Sequence, residues 1–538
     1  MSVRTKTLKI LNALKEGYKS IRKISIRIEI SKSSVGRSLK ALERRDCHPE
    51  SWMWETEDGH KWVHMFVTTT VCFFGIKCGV GAETLSIFFH QIRLAEQFGA
   101  SPTAIRSMIK RIEDLLVAYQ KMQEEEQRRT GVPRNVIAGG DETFFRELLI
   151  LVLVDLPSGY LLMEEVAVDR SYETWKTKAQ ERLNQMGLHV MHFVSDQAKA
   201  LTKLAFEGFG CQSGADLFHG EYEITKWLGA AFRRQLGRTT NQLKMAQERL
   251  VVLQQKTNAK QTKIEEEEKE IKHHEEVLKI LFSGKDAYQE ILHKISKIVH
   301  PFTLEQSGKQ TSEQVENMLH EQVQELQKLA ESHGIPDSKG SLEKFVRQIK
   351  KISNIATAWW GWSEGSLATF GLEPWLIDWL LFTLLPVIYW HKQMEKTKNP
   401  KLKVAYKEAY KQALAAYHAN LLTEQISSSE IKRWRAWAEW MADKFQRTSS
   451  AVEGRNGWLS QMYHNGRGLT VRRLKALTVI HNYYLRRSDG TTAAERLYGT
   501  QFPDLFEWIV GRMGELPLAR KARELRYSNP LIPLTVPA

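Results

Sequence analysis

Helical spacing of apolar residues opens the chain. Leu8, Ile10, Leu11 and Leu14 mark a first helix, a short second one follows at 21–27, and a third begins at Ser31-Lys-Ser-Ser-Val. Ser31 or Ser33 can cap that third helix, which carries Val35, Leu39 and Leu42 inward and leaves Ser34, Arg37, Lys40 and Arg44 outward. This pattern predicts a helix-turn-helix within residues 1–58, able to meet DNA with the exposed face of its third helix. Residues 60–78 (HKWVHMFVTTTVCFFGIKC) are β-branched and aromatic, which predicts strands. The stretch 59–130 therefore reads as a small strand region followed by a second helix-turn-helix. Ser101-Pro102 starts its last helix, with Ile105, Ile109, Ile112 and Leu116 inward and Arg106, Lys110 and Arg111 exposed. The polar run 123–129, closed by Pro133, reads as a linker.

From residue 131 the period changes. Residues 136–138 lead to Asp141, and 148–154 form an apolar strand ending in Asp155. Pro157-Ser-Gly turns, and 161–168 returns. Three strands joined by tight turns predict an antiparallel meander. An amphipathic helix at 171–186 crosses to a buried strand at 190–195, which ends at Asp196. Leu217 and Phe218 suggest a short fifth strand before a helix near Glu221. The result is a mixed α/β core, its first part at 131–231.

Between 232 and 430 the alternation stops and an all-α insertion is predicted. Leu243, Leu250, Thr257, Ile264, Ile271 and Leu278 recur every seven residues, with Ala246, Leu253 and Leu281 beside them, a coiled-coil pattern over about 241–282. A helix at 313–332, with Val315, Leu319, Val323 and Leu326, can return against it, as an interaction arm or a rigid spacer. The second part of the core, 431–490, opens on a tryptophan-rich helix, passes through RTSSAVEGRNG (447–457) and continues as a basic helix at 471–485. Residues 491–538 read as a helical tail with an extended arm from Asn529 to Pro537.

Charge sharpens this picture. The 77 Lys and Arg against 63 Asp and Glu give a net +14, which favours a polyanionic partner. Residues 1–45 hold 13 of the basic side chains and three acidic ones (Glu16, Glu29, Glu43), so the first contact falls there. Four cysteines in 538 residues and no secretory signal argue for a reducing compartment, with a cytoplasmic, nucleoid-associated location expected. The apolar run 375–390 is shorter than the ~20 residues that a bilayer needs and contains Asp378 and Pro386, so it reads as a buried core helix and no membrane partner is expected. Cys47, His48, His60, His64, Cys72 and Cys78 lack paired metal-ligand spacing, so a zinc site is not expected.

Three carboxylates stand at the edges of predicted elements: Asp141 in AGGDETFF, Asp196 in HFVSDQAK and Glu453 in RTSSAVEGRNG. Each has a plain alternative. Glu142 would exchange with Asp141 if the strand register shifted by one, Asp155 is better read as a turn residue, and Glu453 taken alone is an ordinary solvated helix residue. Taken in order they resemble the three acidic motifs of DDE-type DNA transposases. Asp216-Leu-Phe-His219 is similar to the C/D-x-x-H signature of those members with a helical insertion. The resemblance covers roughly 135–231 and 431–500.

It implies a ribonuclease-H-like core, a mixed five-stranded sheet with helices, interrupted by the all-helical insertion. It also implies an enzyme that binds the ends of a mobile element and performs metal-dependent DNA cleavage and strand transfer. Asp141, Asp196 and Glu453 would hold two Mg²⁺ ions, with Mn²⁺ able to substitute. The implied partners are double-stranded DNA and a second copy of the chain, as a homodimer or higher oligomer. Arg455 would contact DNA. Asp216, His219 and Asn456 are accessory candidates, and one of Trp359, Trp360 and Trp362 would stack on a flipped base, against the simpler use of all three in the helical core. A DNA-binding regulator that retains the scaffold without turnover, and a nuclease that does not join, are the alternatives.

Overall fold

The computed structural model describes residues 3–45, 48–256, 260–464 and 468–519. The chain divides into two compact units, Met1–Thr130 with Gly457–Ala538, and Gly131–Asn456.

In the first unit, α1 (Val3–Lys15), α2 (Ile21–Ile28) and α3 (Lys32–Arg45) pack around Ile10, Ala13, Ile24, Val35 and Leu42. Ser20 caps α2 by accepting from the Lys23 amide at 3.2 Å, and Glu29 ends it in the left-handed region at φ 56°. Residues 60–78, expected as strands, are helical instead. After the short α4 (Ser51–Trp54) comes α5 (Glu57–Thr70), which continues as a π-helical turn, Val71–Lys77. Thr56 caps α5 by accepting from Gly59 N at 2.9 Å, and Glu57 and Asp58 suit its N-terminus. Val63, Val67 and Val71 recur every four residues and are all buried. Burying each side chain contributes about 1.5–3 kcal/mol, against a strand preference of ~1 kcal/mol at most, so the helical face wins. α6 (Ala82–Gln91) precedes α7 (Pro102–Arg129), which Ser101 caps. α7 also absorbs the expected linker at 123–129. Its Glu, Gln and Arg are good helix formers, and Gln123 and Glu124 are buried.

The second unit holds one five-stranded mixed sheet. Its elements are β1 (Arg134–Phe145), β2 (Leu148–Asp155), β3 (Tyr160–Ala167), α8 (Tyr172–Met186), β4 (Leu188–Ser195), α9 (Lys199–Lys203), β5 (Gln212–Ala215) and α10 (Leu217–Ile224). The spatial order is β3-β2-β1-β4-β5. β1, β2 and β3 are antiparallel neighbours, whereas β4 and β5 run parallel to β1. Two expectations need correction. Asp141 lies inside a longer β1 rather than at its end. The fifth strand is Gln212–Ala215, while Leu217 and Phe218 begin a helix, because Asp216 caps it by accepting from Phe218 N at 2.8 Å.

The helical segment follows as α11 (Ala230–Gln254), α12 (Gln261–Ile298), α13 (Ser312–Ser332), α14 (Ser341–Ala368), α15 (Pro374–Trp379), α16 (Leu385–Lys396), α17 (Pro400–Ala419) and α18 (Leu422–Gln425), then α19 (Ser428–Asp443) and α20 (Ser450–Met462). The seven-residue pattern is shared by α11 and α12, which form a hairpin in which Arg249 pairs with Glu267 at 2.9 Å and Glu270 at 2.8 Å. Thr257 lies outside the described residues. Trp359, Trp360, Trp379 and Trp390 are buried in one large core. The run 375–390 falls there, and no helix among the described residues is long and apolar enough to cross a membrane.

The first unit is completed by α21 (Val471–Tyr483), α22 (Ala493–Tyr498) and α23 (Leu505–Arg512). α21 packs on α7, with Arg473 paired to Glu113 at 2.5 Å. The expected arm at 529–537 lies outside the described residues.

Two glycines explain themselves in the packed sheet. A Cβ on Gly139 would stand 2.6 Å from Leu156 Cδ2 and 3.2 Å from Val452 Cγ2, and one on Gly140 would stand 2.5 Å from Phe193 Cζ. They let α20 and β4 approach β1 just before Asp141. Gly139→Ala is therefore expected to cost about 1–3 kcal/mol by overpacking, read as a lower denaturation midpoint. Gly237→Ala, on an open face of α11 with no neighbour within 4 Å, should instead stabilise by up to ~1 kcal/mol.

Candidate active site

β1 outruns its parallel partner. Its pairing with β4 ends at Gly139–Val194, whereas its pairing with β2 continues through Asp141–Val152 to Phe145–Leu148. Asp141 thus stands where β1 has lost β4 as a neighbour, and Asp196 follows directly on the last residue of β4. This crevice at the carboxyl ends of parallel strands is where open α/β sheets place their ligands.

Asp196 is held by its turn. Its Oδ1 accepts from Ala198 N at 2.9 Å. Gln197 sits at φ 70°, a backbone strain of about 1–3 kcal/mol for a non-glycine residue. Its amide offsets that strain by donating to Ser213 Oγ (3.1 Å) and Gly214 O (2.8 Å) of β5, while its Oε1 accepts from Lys351 at 2.6 Å.

Glu453 arrives on α20, which lies against the Gly139 face of the sheet. Arg455 clamps that helix with a two-point pair to Glu164 of β3, Nε to Oε1 at 2.7 Å and Nη2 to Oε2 at 2.6 Å. Both residues are only 4 % exposed. Arg455, expected to contact DNA, is thus corrected to a buried strut, because its guanidinium is spent on the sheet. One residue further, Asn456 donates to Asp141 Oδ2 at 2.8 Å.

The segment before α20 is anchored as well. Arg447 donates to the carbonyls of Ser296 (2.5 Å) and Val299 (3.0 Å) and to the Tyr406 hydroxyl (3.1 Å). Its own carbonyl accepts from Leu217 N at 3.0 Å. Ser449 donates through its amide (3.0 Å) and its hydroxyl to Asp216 Oδ2. His219, one turn into α10, has its Nδ1 3.6 Å from Asp216 and its Nε2 3.6 Å from Glu453.

The electrostatics follow from this crowding. Burial first, then the charge of Glu453 and, less, that of Asp196, together push the Asp141 carboxyl up to about 7, against the opposing hydrogen bond from the Glu142 backbone. Glu142 is also raised, by burial first and then by Asp196, while Arg170 at 3.3 Å pulls it down. Asp141 turns to α20 and Glu142 to Arg170, so of the two it is Asp141 that joins Glu453. Asp155 is a turn residue as expected, accepting from Ile137 N at 3.2 Å and Ser158 N at 3.1 Å.

The donor set around Asp141 is carboxylate and amide oxygen, and one of its atoms, Asn456 Oδ1, is buried without a hydrogen-bond partner. Such a set suits a hard divalent cation. Among the described residues, however, no three His, Cys, Asp or Glu side chains are already gathered into a metal cage. A cation would have to draw these carboxylates together.

The other candidates divide. Arg37, Lys40 and Arg44 are exposed on α3 and Ser34 is half-buried; Lys110 is exposed on α7, where Arg106 pairs with Glu83. Trp359 and Trp360 are buried, their ring N–H groups donating to Met441 O at 2.9 Å and Pro301 O at 3.0 Å. Neither can stack on a base. Trp362, half-buried, meets His192 edge-on at 5.5 Å. His60 and His64 spend their rings on Glu55 and Gly514 O, and Cys47 lies outside the described residues. Glu164 and Gln197 were not legible as supports, since nothing local in the sequence marks their distant partners.

Residues 380–525 match a family of unknown function, DUF6399. That span includes Glu453 and Asn456 but neither aspartate. No curated protein and no solved structure matches the chain.

The raised Asp141 carboxyl has a testable sign. Its folded pKa lies above the ordinary value, so the folded state binds the extra proton and loses stability as pH rises from about 4 through 7. Asp141→Asn should raise the melting temperature at pH 8 on the order of 5 °C, and the gain should vanish near pH 4. A gain that persists unchanged at pH 4 would assign the effect to packing.

Proposed function

We propose that this chain is a DDE-type DNA transposase with a ribonuclease-H-like core, cutting and joining DNA at a mobile element's ends. The observation that carries the reading is the return of α20 to β1 after the helical segment. Asn456 binds Asp141, and the charges of Glu453 and Asp196 both act on it. The strand order β3-β2-β1-β4-β5, antiparallel then parallel, is that of the ribonuclease-H plan and supports it. So do the carboxylates, which follow in the expected order on β1, after β4 and on a helix beyond an insertion.

In this reading Asp141, Asp196 and Glu453 would hold Mg²⁺ or Mn²⁺, which when bound supplies an activated water and charge stabilisation at the scissile phosphate. The chain's own groups prepare the site. Asn456 orients Asp141, His219 lies between Asp216 and Glu453 at 3.6 Å from each, and the Arg455–Glu164 strut holds α20 at its height over the sheet. The exposed cations of α3 would bind duplex DNA, and two element ends held together imply a dimer or larger assembly. The rival reading is a DNA-binding regulator that retains the scaffold without turnover.

Plasmid nicking separates the two. The wild type should nick supercoiled DNA with Mg²⁺ or Mn²⁺ and not with EDTA, and Asp196→Asn should lose about 100-fold or more. Equal nicking by the variant removes these carboxylates from the mechanism. No nicking by either favours the regulator, and cleavage without joined products favours a nuclease. For α3, Arg37→Ala with Lys40→Ala should lower the salt dependence of DNA binding, log K against log salt, by about 1.8; an unchanged slope would move the binding surface elsewhere.

A further inference from the structure

Away from the carboxylates, the start of α11 and the loop joining α13 to α14 enclose a cleft of about 1050 Å³. Lys226, Arg233, Arg234, Arg238, Lys339 and Lys344 line it, against two acids, Glu223 and Asp337. Both acids are already engaged. Glu223 pairs with Lys226 at 3.3 Å and Lys344 at 3.6 Å. Asp337 accepts from Ser341 N at Oδ1 (2.9 Å) and from Leu342 N at Oδ2 (2.8 Å), which fastens the loop to α14. Six cations less two anions leave the lining at +4. Arg234, Arg238 and Lys339 have no acidic partner among the described residues.

A scattered basic surface would let these side chains diverge into water. Here they converge on one concave site with rigid walls. Trp227 lies in the floor and donates its ring N–H to Pro336 O at 3.1 Å, and Ile335 beside it is buried. Gly334 and Gly340 take positive φ at the loop's two ends, and Phe232 and Leu236 root α11 in the core. Holding like charges together costs electrostatic energy that an anionic ligand relieves. A second feature narrows the ligand. Gln235 lines the same cleft, and its side-chain oxygen is buried with no hydrogen-bond partner. That atom accepts and does not donate. Phosphate oxygens at neutral pH offer it nothing, whereas a base amino group or a sugar hydroxyl would satisfy it.

We infer that this cleft binds the phosphodiester backbone of a nucleic-acid strand, with Gln235 accepting from a base or sugar. It rests on the proposed function only in preferring a strand to a free nucleotide. It adds a contact surface on the helical segment that is separate from α3.

The test uses the full-length chain and Arg234→Ala/Arg238→Ala/Lys339→Ala, three exposed positions whose replacement should not lower the melting temperature. Affinity for a 30-base-pair duplex is measured without divalent cations from 50 to 200 mM salt, with ATP and tripolyphosphate titrated separately. The triple variant should bind more weakly and its salt slope should fall by about 2.7, at about 0.9 per contact. An unchanged slope overturns the inference. So does tight ATP or tripolyphosphate binding that the variant loses while its duplex slope stays, since the site would then serve a free polyphosphate. Nicking by the wild-type chain, measured beside the slope, keeps the two readings apart. A chain that never nicks yet shows the slope change loses the transposase reading and keeps this one, and a chain that nicks with an unchanged slope does the reverse.

Discussion

The site depends on the buried pair between Arg455 and Glu164. A charged pair removed from water is not in itself a strong source of stability, but removing one partner strands the other charge, at about 3–5 kcal/mol. That asymmetry makes the pair a specifier of position more than a source of adhesion. With two parallel hydrogen bonds to a carboxylate on β3, it sets the rotation of α20. Val452 and Leu459 then face inward, Asn456 reaches Asp141 and Glu453 falls within range of His219. A slip of one residue would turn Glu453 away.

The same helix is governed from the other side by the helical segment. Arg447 is gripped by the C-terminal carbonyls that end α12 and by Tyr406 of α17, and the two residues after it lead to Ser449 on Asp216. Asp216 is at once the cap of α10 and an acceptor for the segment that leads into α20. The helices between β5 and α20 are thus tied to the position of the third carboxylate through hydrogen bonds that can be named. This gives a physical reason why so long an interruption between the second and third acidic residues need not displace the last of them.

Burial first, and then like charges brought together at low dielectric, disfavour the ionised carboxyl of Asp141. Near neutral pH its carboxyl holds a proton part of the time, and its neighbours Asn456 and Glu142 each keep a buried oxygen with no donor. A folded chain carries such a cluster at a cost in stability, and perturbed groups of this kind concentrate where chemistry is done. An added cation would offset this repulsion by its attraction to the carboxylates.

Much of this architecture can be read from the chain alone, because periodicity, capping and turn chemistry are local. The three N-terminal helices follow from apolar spacing and serine caps, the antiparallel meander from alternating strands around Pro157-Ser-Gly, the helix at Ser101-Pro102 from its cap, and Asp155 from its turn. Asp196 was legible in the same way, as a carboxylate at the end of a strand, whereas Asp141, expected at an edge, lies inside β1. What only the tertiary structure decided depends on partners far away in sequence. Residues 60–78 are helical because one face of them is buried, a gain that outweighs their strand preference. The seven-residue repeat folds back on itself as α11 and α12, since spacing alone cannot say where a helix stops. Arg455 looks like any exposed cation until Glu164, 291 residues away, takes it into the interior. The resemblance implied that Glu453 comes back to Asp141 and Asp196, but the pairs that close α20 onto β1 lie across the fold and leave no mark on the residues beside them.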